Sequence, residues 1–187
     1  MDLHRIMVFL HVAGMVGLFA ALAIEGVSLR ALRRAASYEQ AREWAGVWSL
    51  LVPLGVPSVL VVLASGIYLA TTLGLWQFGW VDVAVPTLVL VAVAGGIVGP
   101  RRNRLRKSIG TNAGALPNGL KTELRHPLLV GSWRFRTALL LALVFEMTTK
   151  LDSGSALLML CVAVSSVAWS LPISRNTRAA RAAEASS

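Results

Sequence analysis

Long apolar runs dominate the sequence, and each is close to the length that a helix needs to cross a lipid bilayer. A hydrocarbon core about 30 Å thick is crossed by about 20 mainly apolar residues in α-helical conformation. Five windows meet or approach this length, and we predict a transmembrane helix in each: about 6–27, 47–73, 81–99, 129–149 and 156–173. The predicted fold class is therefore an all-α, polytopic transmembrane helical bundle of five helices. It forms one domain over residues 1–174, followed by a basic tail over 175–187 that we expect to be poorly ordered.

The composition supports a lipid environment. Only 14% of the residues are charged and 56% are hydrophobic, whereas soluble domains carry about 25% charged residues. Lysine and arginine number 18 against 9 acidic residues. A basic groove interleaved with aromatic residues and a nucleic-acid-binding module are both absent from the sequence, so we predict no nucleic-acid partner. Cytoplasmic loops of membrane proteins are rich in lysine and arginine, which accounts for the basic excess.

Positive charge alternates between the segments that connect the predicted helices. The basic residues of the first connection, the third connection and the tail are Arg30, Arg33, Arg34 and Arg42; Arg101, Arg102, Arg104, Arg106, Lys107, Lys121 and Arg125; and Arg175, Arg178 and Arg181. The second connection, 74–80, has none, and the fourth, 150–155, has one lysine. Because arginine-rich segments stay in the cytoplasm, we predict an external N-terminus and a cytoplasmic C-terminus. The chain is then a multi-pass protein of a bacterial cytoplasmic membrane, with the lipid bilayer as its first partner.

The fourth predicted helix is the least apolar. Its uninterrupted apolar run, 138–145, is too short to span alone, so the helix must include Arg134 and Arg136 at one end and Glu146 at the other. Long arginine side chains can reach the membrane interface from within a helix. We therefore predict that this segment spans.

Glycines occur at helical spacing in two of the predicted helices. Small residues let transmembrane helices approach each other closely. We predict close helix packing at the small residues of the first and third helices, which are Gly14, Gly17, Ala21, Gly95, Gly96 and Gly99.

A polar stripe runs along the first predicted helix. His4, His11, Leu18 and Glu25 follow one another at intervals of seven residues. Seven residues at about 100° each return to within about 20° of the starting direction, so these side chains share one face. Polar side chains in membrane helices avoid lipid, so we expect this face to point into the bundle.

The predicted topology groups the polar residues into two clusters. The predicted outer cluster lies towards the outer face and consists of the candidate cofactor-binding residues His11, Glu146, Tyr68 and His4. Of these, His11 is the candidate metal ligand. The predicted inner cluster consists of Glu25, Arg134, Arg136 and His126. His4 and His11 lie about 10 Å apart along a helix axis and cannot share one ion. His126 lies at the opposite end from His11, which excludes a bis-histidine haem between those two residues.

Three functions are compatible with these clusters. The first is an intramembrane site for haem or a metal ion near the outer face. Four scattered methionines, Met7, Met15, Met147 and Met159, are of the type that binds copper(I), although they show no tight clustering in the sequence. The second is a non-catalytic structural or assembly subunit, in a homo-oligomer or with a membrane-protein partner, whose polar groups pair internally, Glu146 with Lys150 for example. The third is a small transporter or proton pathway. Hydrolytic and nucleotide-binding motifs are absent from the sequence, so no such enzyme is predicted.

Two stretches resemble a known group of small bacterial membrane bundles. The stretch 9–14, Phe-Leu-His-Val-Ala-Gly, resembles the first helix of CopD-like copper-resistance domains and HemJ-like protoporphyrinogen oxidases. The stretches 136–141 and 145–150 resemble an uncharacterised branch of that group. The resemblance implies haem binding at His11, or copper handling in the cytoplasmic membrane, with a redox role as a further implication. The lysine that HemJ-like enzymes carry on a later helix has no counterpart inside the third predicted helix.

Overall fold

The computed structural model describes residues 2–149 and scattered positions between 154 and 165. This part of the chain is helical, and its one β-type contact is an isolated bridge between Ser37 and Ala115. The α-helices of the described residues are α1, Leu3–Arg34; α2, Tyr38–Val47; α3, Leu51–Thr72; α4, Gly79–Ile109; α5, Asn118–Leu124; and α6, Pro127–Thr149. The prediction of an all-α protein is confirmed for the described residues.

Four helical segments are long and apolar enough to cross a membrane. They are Leu3–Arg34, Tyr38–Thr72, Gly79–Ile109 and Asn118–Thr149. The second joins α2 to α3 through a short 3-10 turn, Trp48–Leu50. Four of the five predicted transmembrane helices are therefore found as helices. The fifth, 156–173, lies largely outside the described residues, although its described positions Leu157 and Cys161 are helical. The tail 175–187 also lies outside the described residues.

The helices extend well beyond the apolar windows. α1 continues to Arg34 and α4 to Ile109, so much of the predicted connections 28–46 and 100–127 is helical. Basic residues fill the last turns of both helices. Arginine and lysine are good helix formers, and positive charge at a helix C-terminus interacts favourably with the helix dipole. The arginine-rich segments therefore prolong the helices instead of ending them.

The described connections divide the bundle into two ends. At the basic end, the C-termini of α1 and α4 meet the start of α2. Here the Arg42 guanidinium donates hydrogen bonds to the carbonyls of Gly110 and Asn112, and the Leu116 N–H donates to the Ala36 carbonyl. The opposite, arginine-poor end contains the start of α1, the turn between α3 and α4, and the end of α6.

Glycines on α1 account for its close packing against α3. A Cβ on Gly14 would lie 2.7 Å from Cγ2 of Val62, and one on Gly17 would overlap the hydroxyl of Ser58. The predicted close approach is therefore confirmed for these two glycines. On α4, an added Cβ on Gly96 or Gly99 would meet no atom of the described residues within 4 Å, so close packing is not found at these two glycines within that part of the chain. Gly95 makes room for the Arg136 guanidinium instead of a helix backbone.

An apolar cluster fills the middle of the bundle. Leucines of α1 and α6, among them Leu18, Leu22 and Leu140, pack there with residues of α3 and α4. Leu18 is only 4% exposed. This cluster separates the polar groups of the arginine-poor end from those near the basic end.

Candidate functional site

A buried ion-pair cluster lies on the basic side of the apolar core. The Arg136 guanidinium donates a hydrogen bond of 2.6 Å from Nη2 to Oε1 of Glu25. Nη1 of Arg102 lies 3.0 Å from the same oxygen, but outside hydrogen-bonding geometry. Glu25 is 2% exposed. One carboxylate thus holds two guanidinium groups from α4 and α6 against α1.

Neighbouring contacts fix the position of this cluster. The Trp133 indole N–H donates to the Leu22 carbonyl at 2.8 Å, and its ring packs on Gly26, where a Cβ would lie 2.5 Å from the indole. The Arg136 guanidinium fits beside Gly95 on α4. These contacts fix the position of α6 against α1 and α4, and in this position Arg136 lies next to Glu25.

The structure brings together only part of the predicted inner cluster. Glu25 and Arg136 are in contact, as the expected depths implied. His126 is engaged locally, since its Nδ1 accepts a hydrogen bond from the Leu128 N–H at the start of α6. The partly buried Arg134 is not among the cations that pair with Glu25 in the described residues.

Arg102 is the member of the cluster that the sequence analysis missed. The apolar window ends at residue 99, so the sequence pattern places Arg102 in a connection. Once α4 is extended, Arg102 falls on the same face as Gly95 and Gly99, at helical spacings of seven and three residues. Continuing the helical pattern through the arginine-rich stretch would have identified it.

His11 faces α3 near the arginine-poor end. Its Nδ1 lies 3.2 Å from the Val62 carbonyl oxygen and 3.2 Å from Oγ of Ser65. The Ser65 hydroxyl donates to the backbone of its own helix, so both neighbours act as acceptors. In the neutral ring, Nδ1 therefore carries the proton and Nε2 keeps its lone pair. These contacts hold the His11 ring in one orientation, with Nδ1 towards α3.

Two apolar cavities meet at His11. The first, which we name the outer cavity, has a volume of about 230 Å³ and extends between α1, α3, α4 and α6, with Trp80 and Met147 in its wall. The second, the outer cleft, has a volume of about 670 Å³ and lies between α1 and α6, with Met15 and Met147 in its wall. His11 and Met147 line both spaces. They therefore form the partition between the cavity and the cleft.

The remaining residues predicted for the outer cluster lie elsewhere. Glu146 is completely buried, and neither carboxylate oxygen has a hydrogen-bond partner in the described part of the chain. It lines neither the outer cavity nor the outer cleft, and its predicted partner Lys150 lies outside the described residues. Tyr68 is partly buried away from both spaces, and His4 is exposed. The structure thus groups His11 with methionines instead of with these three residues.

The donors at His11 fit some cofactors better than others. In the described residues, no group of three histidine, cysteine or acidic side chains is placed to hold a metal ion. A zinc-type or carboxylate-rich site is therefore not formed there. The outer cavity, at about 230 Å³, is smaller than the roughly 300–1,000 Å³ of ordinary ligand pockets. In the described residues, the donors that line these two spaces are the His11 imidazole and the soft thioether sulfurs of Met15 and Met147.

Comparisons with protein-family models, with curated proteins and with solved structures found no match. The resemblance to CopD-like and HemJ-like proteins therefore stays a prediction from the residues quoted above. The four apolar helical segments are consistent with an integral, multi-pass membrane protein in contact with a lipid bilayer.

We expect Glu146→Met to raise the free energy of unfolding by about 1–3 kcal/mol, because it removes a buried polar group that has no partner in the described residues. Denaturant unfolding in detergent micelles measures this change. The matched control is Glu43→Met on the exposed surface of α2, which should stay within about 0.5 kcal/mol of the wild type. A destabilised Glu146→Met protein would show that the carboxyl group has a partner.

Proposed function

We propose that this integral membrane protein binds monovalent copper at a site formed by His11, Met15 and Met147. The observation that carries the proposal is the position of His11 and Met147, which lie on different helices and line the same two spaces. Met15 lies one helical turn from His11, and it lines the outer cleft together with His11 and Met147. The charge pattern supports placing the basic end in the cytoplasm, so that the site lies towards the outer face of a bacterial cytoplasmic membrane.

The chemistry of these donors suits copper(I). Thioether sulfur is a soft ligand that selects copper(I), and imidazole binds copper well. The contacts of Nδ1 with Val62 and Ser65 orient the His11 ring and fix its tautomer, as second-shell acceptors do for histidine ligands. The resemblance to copper-resistance domains agrees with this proposal.

Competition with a chromophoric copper(I) chelator tests the proposal. We expect one copper(I) ion per chain in the purified protein, and loss of that binding in His11→Ala. In Met147→Leu, the affinity should fall at least about tenfold, because one of three ligands is removed. The controls His4→Ala and Met7→Leu change side chains of the same kind that line neither space, and they should bind copper as the wild type does.

Two results would contradict the proposal. One is copper binding that survives in the His11→Ala, Met147→Leu double variant. The other is a haem absorption band in the purified wild-type protein that disappears in His11→Ala, which would identify haem as the ligand.

A structural or assembly role is the second candidate. The internal pairing of Glu25 with two arginines favours it, because the Glu25 carboxylate then has cationic partners without any ligand. This role predicts a protein that lacks copper affinity and purifies with a larger membrane-protein partner or as a homo-oligomer. A proton pathway is disfavoured by the tight packing of Leu18 between His11 and Glu25.

A further inference from the structure

A groove between α3 and α4 reaches from the bilayer to the buried ion-pair cluster. α3 packs mainly on α1 and α4 packs mainly on α6, which leaves the two helices apart along this stretch. The groove has a volume of about 340 Å³. Its floor is formed by Leu18, Leu22 and Leu140, and Glu25, Arg102 and Arg136 close its basic end.

The groove opens to the side, towards lipid. Val52, Val56 and Leu60 of α3 line it and are also strongly exposed, at 61%, 54% and 59%. On the α4 side, Gly96 and Gly99 leave space where side chains would otherwise project. An apolar chain of a neighbouring lipid can therefore enter the groove without crossing the bundle.

The basic end of the groove carries excess positive charge. Arg102 and Arg136 share a single carboxylate oxygen of Glu25, which leaves one net positive charge in the buried cluster. Nη1 of Arg102 is buried without a hydrogen-bond partner. Arg102 also lines a wider cleft of about 700 Å³ that contains Arg106 and Asn103. Arg102 thus lies where the apolar groove meets a polar cleft.

From this geometry we propose that the groove between α3 and α4 binds one anionic phospholipid. Its acyl chain lies along Gly96 and Gly99, and its phosphate is held between Arg102 and Arg106. An apolar groove that ends at a net positive charge, with one Arg102 nitrogen lacking a hydrogen-bond partner, matches an amphipathic anion. Arginine is well suited to phosphate. Basic pockets between transmembrane helices commonly bind anionic headgroups. This site is separate from the proposed copper site and does not depend on it.

The test is a titration of phosphatidylglycerol into the detergent-solubilised full chain, followed by native mass spectrometry. We expect one lipid per chain, bound in preference to phosphatidylcholine with the same acyl chains. Arg106→Gln should weaken binding at least about tenfold, because a charge-assisted hydrogen bond to phosphate is lost. The control Arg104→Gln removes the same charge from an exposed position of α4 outside the cleft, and it should leave the affinity unchanged.

A second pair of variants tests the acyl-chain half of the groove. Gly96→Leu fills space that no described residue occupies, and it should abolish lipid binding while the thermal midpoint does not fall below the wild-type value. Val93→Leu enlarges a side chain that is 51% exposed outside the groove, and it should bind lipid normally. If Gly96→Leu fails to fold, the proposal is tested by the difference in lipid affinity between Arg106→Gln and Arg104→Gln.

Three outcomes would overturn the proposal. They are equal binding of phosphatidylglycerol and phosphatidylcholine, equal losses in Arg104→Gln and Arg106→Gln, and complete displacement of the lipid by inorganic phosphate. The last result would assign the arginines to a free anion instead of a lipid.

Discussion

Replacing Glu25 with alanine is expected to lower the free energy of unfolding by about 3–5 kcal/mol, because it leaves two guanidinium groups without a counter-charge in a buried environment. Arg136 and Arg102 both approach one oxygen of this carboxylate, at 2.6 Å and 3.0 Å. Thermal or denaturant unfolding in detergent micelles measures the loss.

The matched control is Glu123→Ala. Glu123 also pairs with an arginine, Arg101, at 2.6 Å, but its side chain is 54% exposed. An exposed ion pair contributes about 0–1 kcal/mol to stability, so the free energy of unfolding of this variant should fall by no more than that. The double variant Glu25→Gln, Arg136→Gln should be more stable than Glu25→Gln alone, because one uncompensated charge is removed. Equal losses for Glu25→Ala and Glu123→Ala would contradict a buried cluster.

Gly26→Ala is expected to lower the free energy of unfolding by about 1–3 kcal/mol, through overpacking against a rigid side chain. The added Cβ would lie 2.5 Å from the Trp133 ring. That ring is tied to α1 by its hydrogen bond to the Leu22 carbonyl, so it cannot move without breaking that bond. Thermal unfolding reports the change.

The matched control for Gly26→Ala is Gly96→Ala. Glycine in a helix is less favourable than alanine, and at Gly96 the new methyl group meets no atom of the described residues within 4 Å. The free energy of unfolding of this variant should rise by up to about 1 kcal/mol. The two substitutions are chemically identical, so their opposite signs isolate the contact with Trp133. Stabilisation by Gly26→Ala would show that α6 does not dock on α1 at this position.

The existence of the helices could be predicted from the sequence, but their ends could not. Apolar windows identify the segments that can lie in the hydrocarbon core of a bilayer. The ends of a helix depend instead on how far its residues favour helical geometry. The stretch from Arg101 to Lys107 is mainly polar, but most of its residues are good helix formers. α4 therefore continues through it. Arg102 was missed as a partner of Glu25 for this reason.

The candidate site shows a different limit. Depth in the membrane follows from counting residues, and it places Glu25 with Arg136. Rotation about a helix axis depends on how neighbouring helices pack, which the sequence pattern leaves open. Glu146 and Met147 share a depth but point about 100° apart. In the structure, Met147 faces the spaces beside His11, and Glu146 is buried elsewhere.

The most direct test of the copper proposal is X-ray absorption spectroscopy at the copper edge of the copper(I)-loaded protein. The proposed site predicts a first shell of one nitrogen and two sulfur scatterers, from His11, Met15 and Met147. It also predicts loss of one sulfur scatterer in Met147→Leu. A shell of nitrogen and oxygen alone, unchanged in Met147→Leu, would contradict the site.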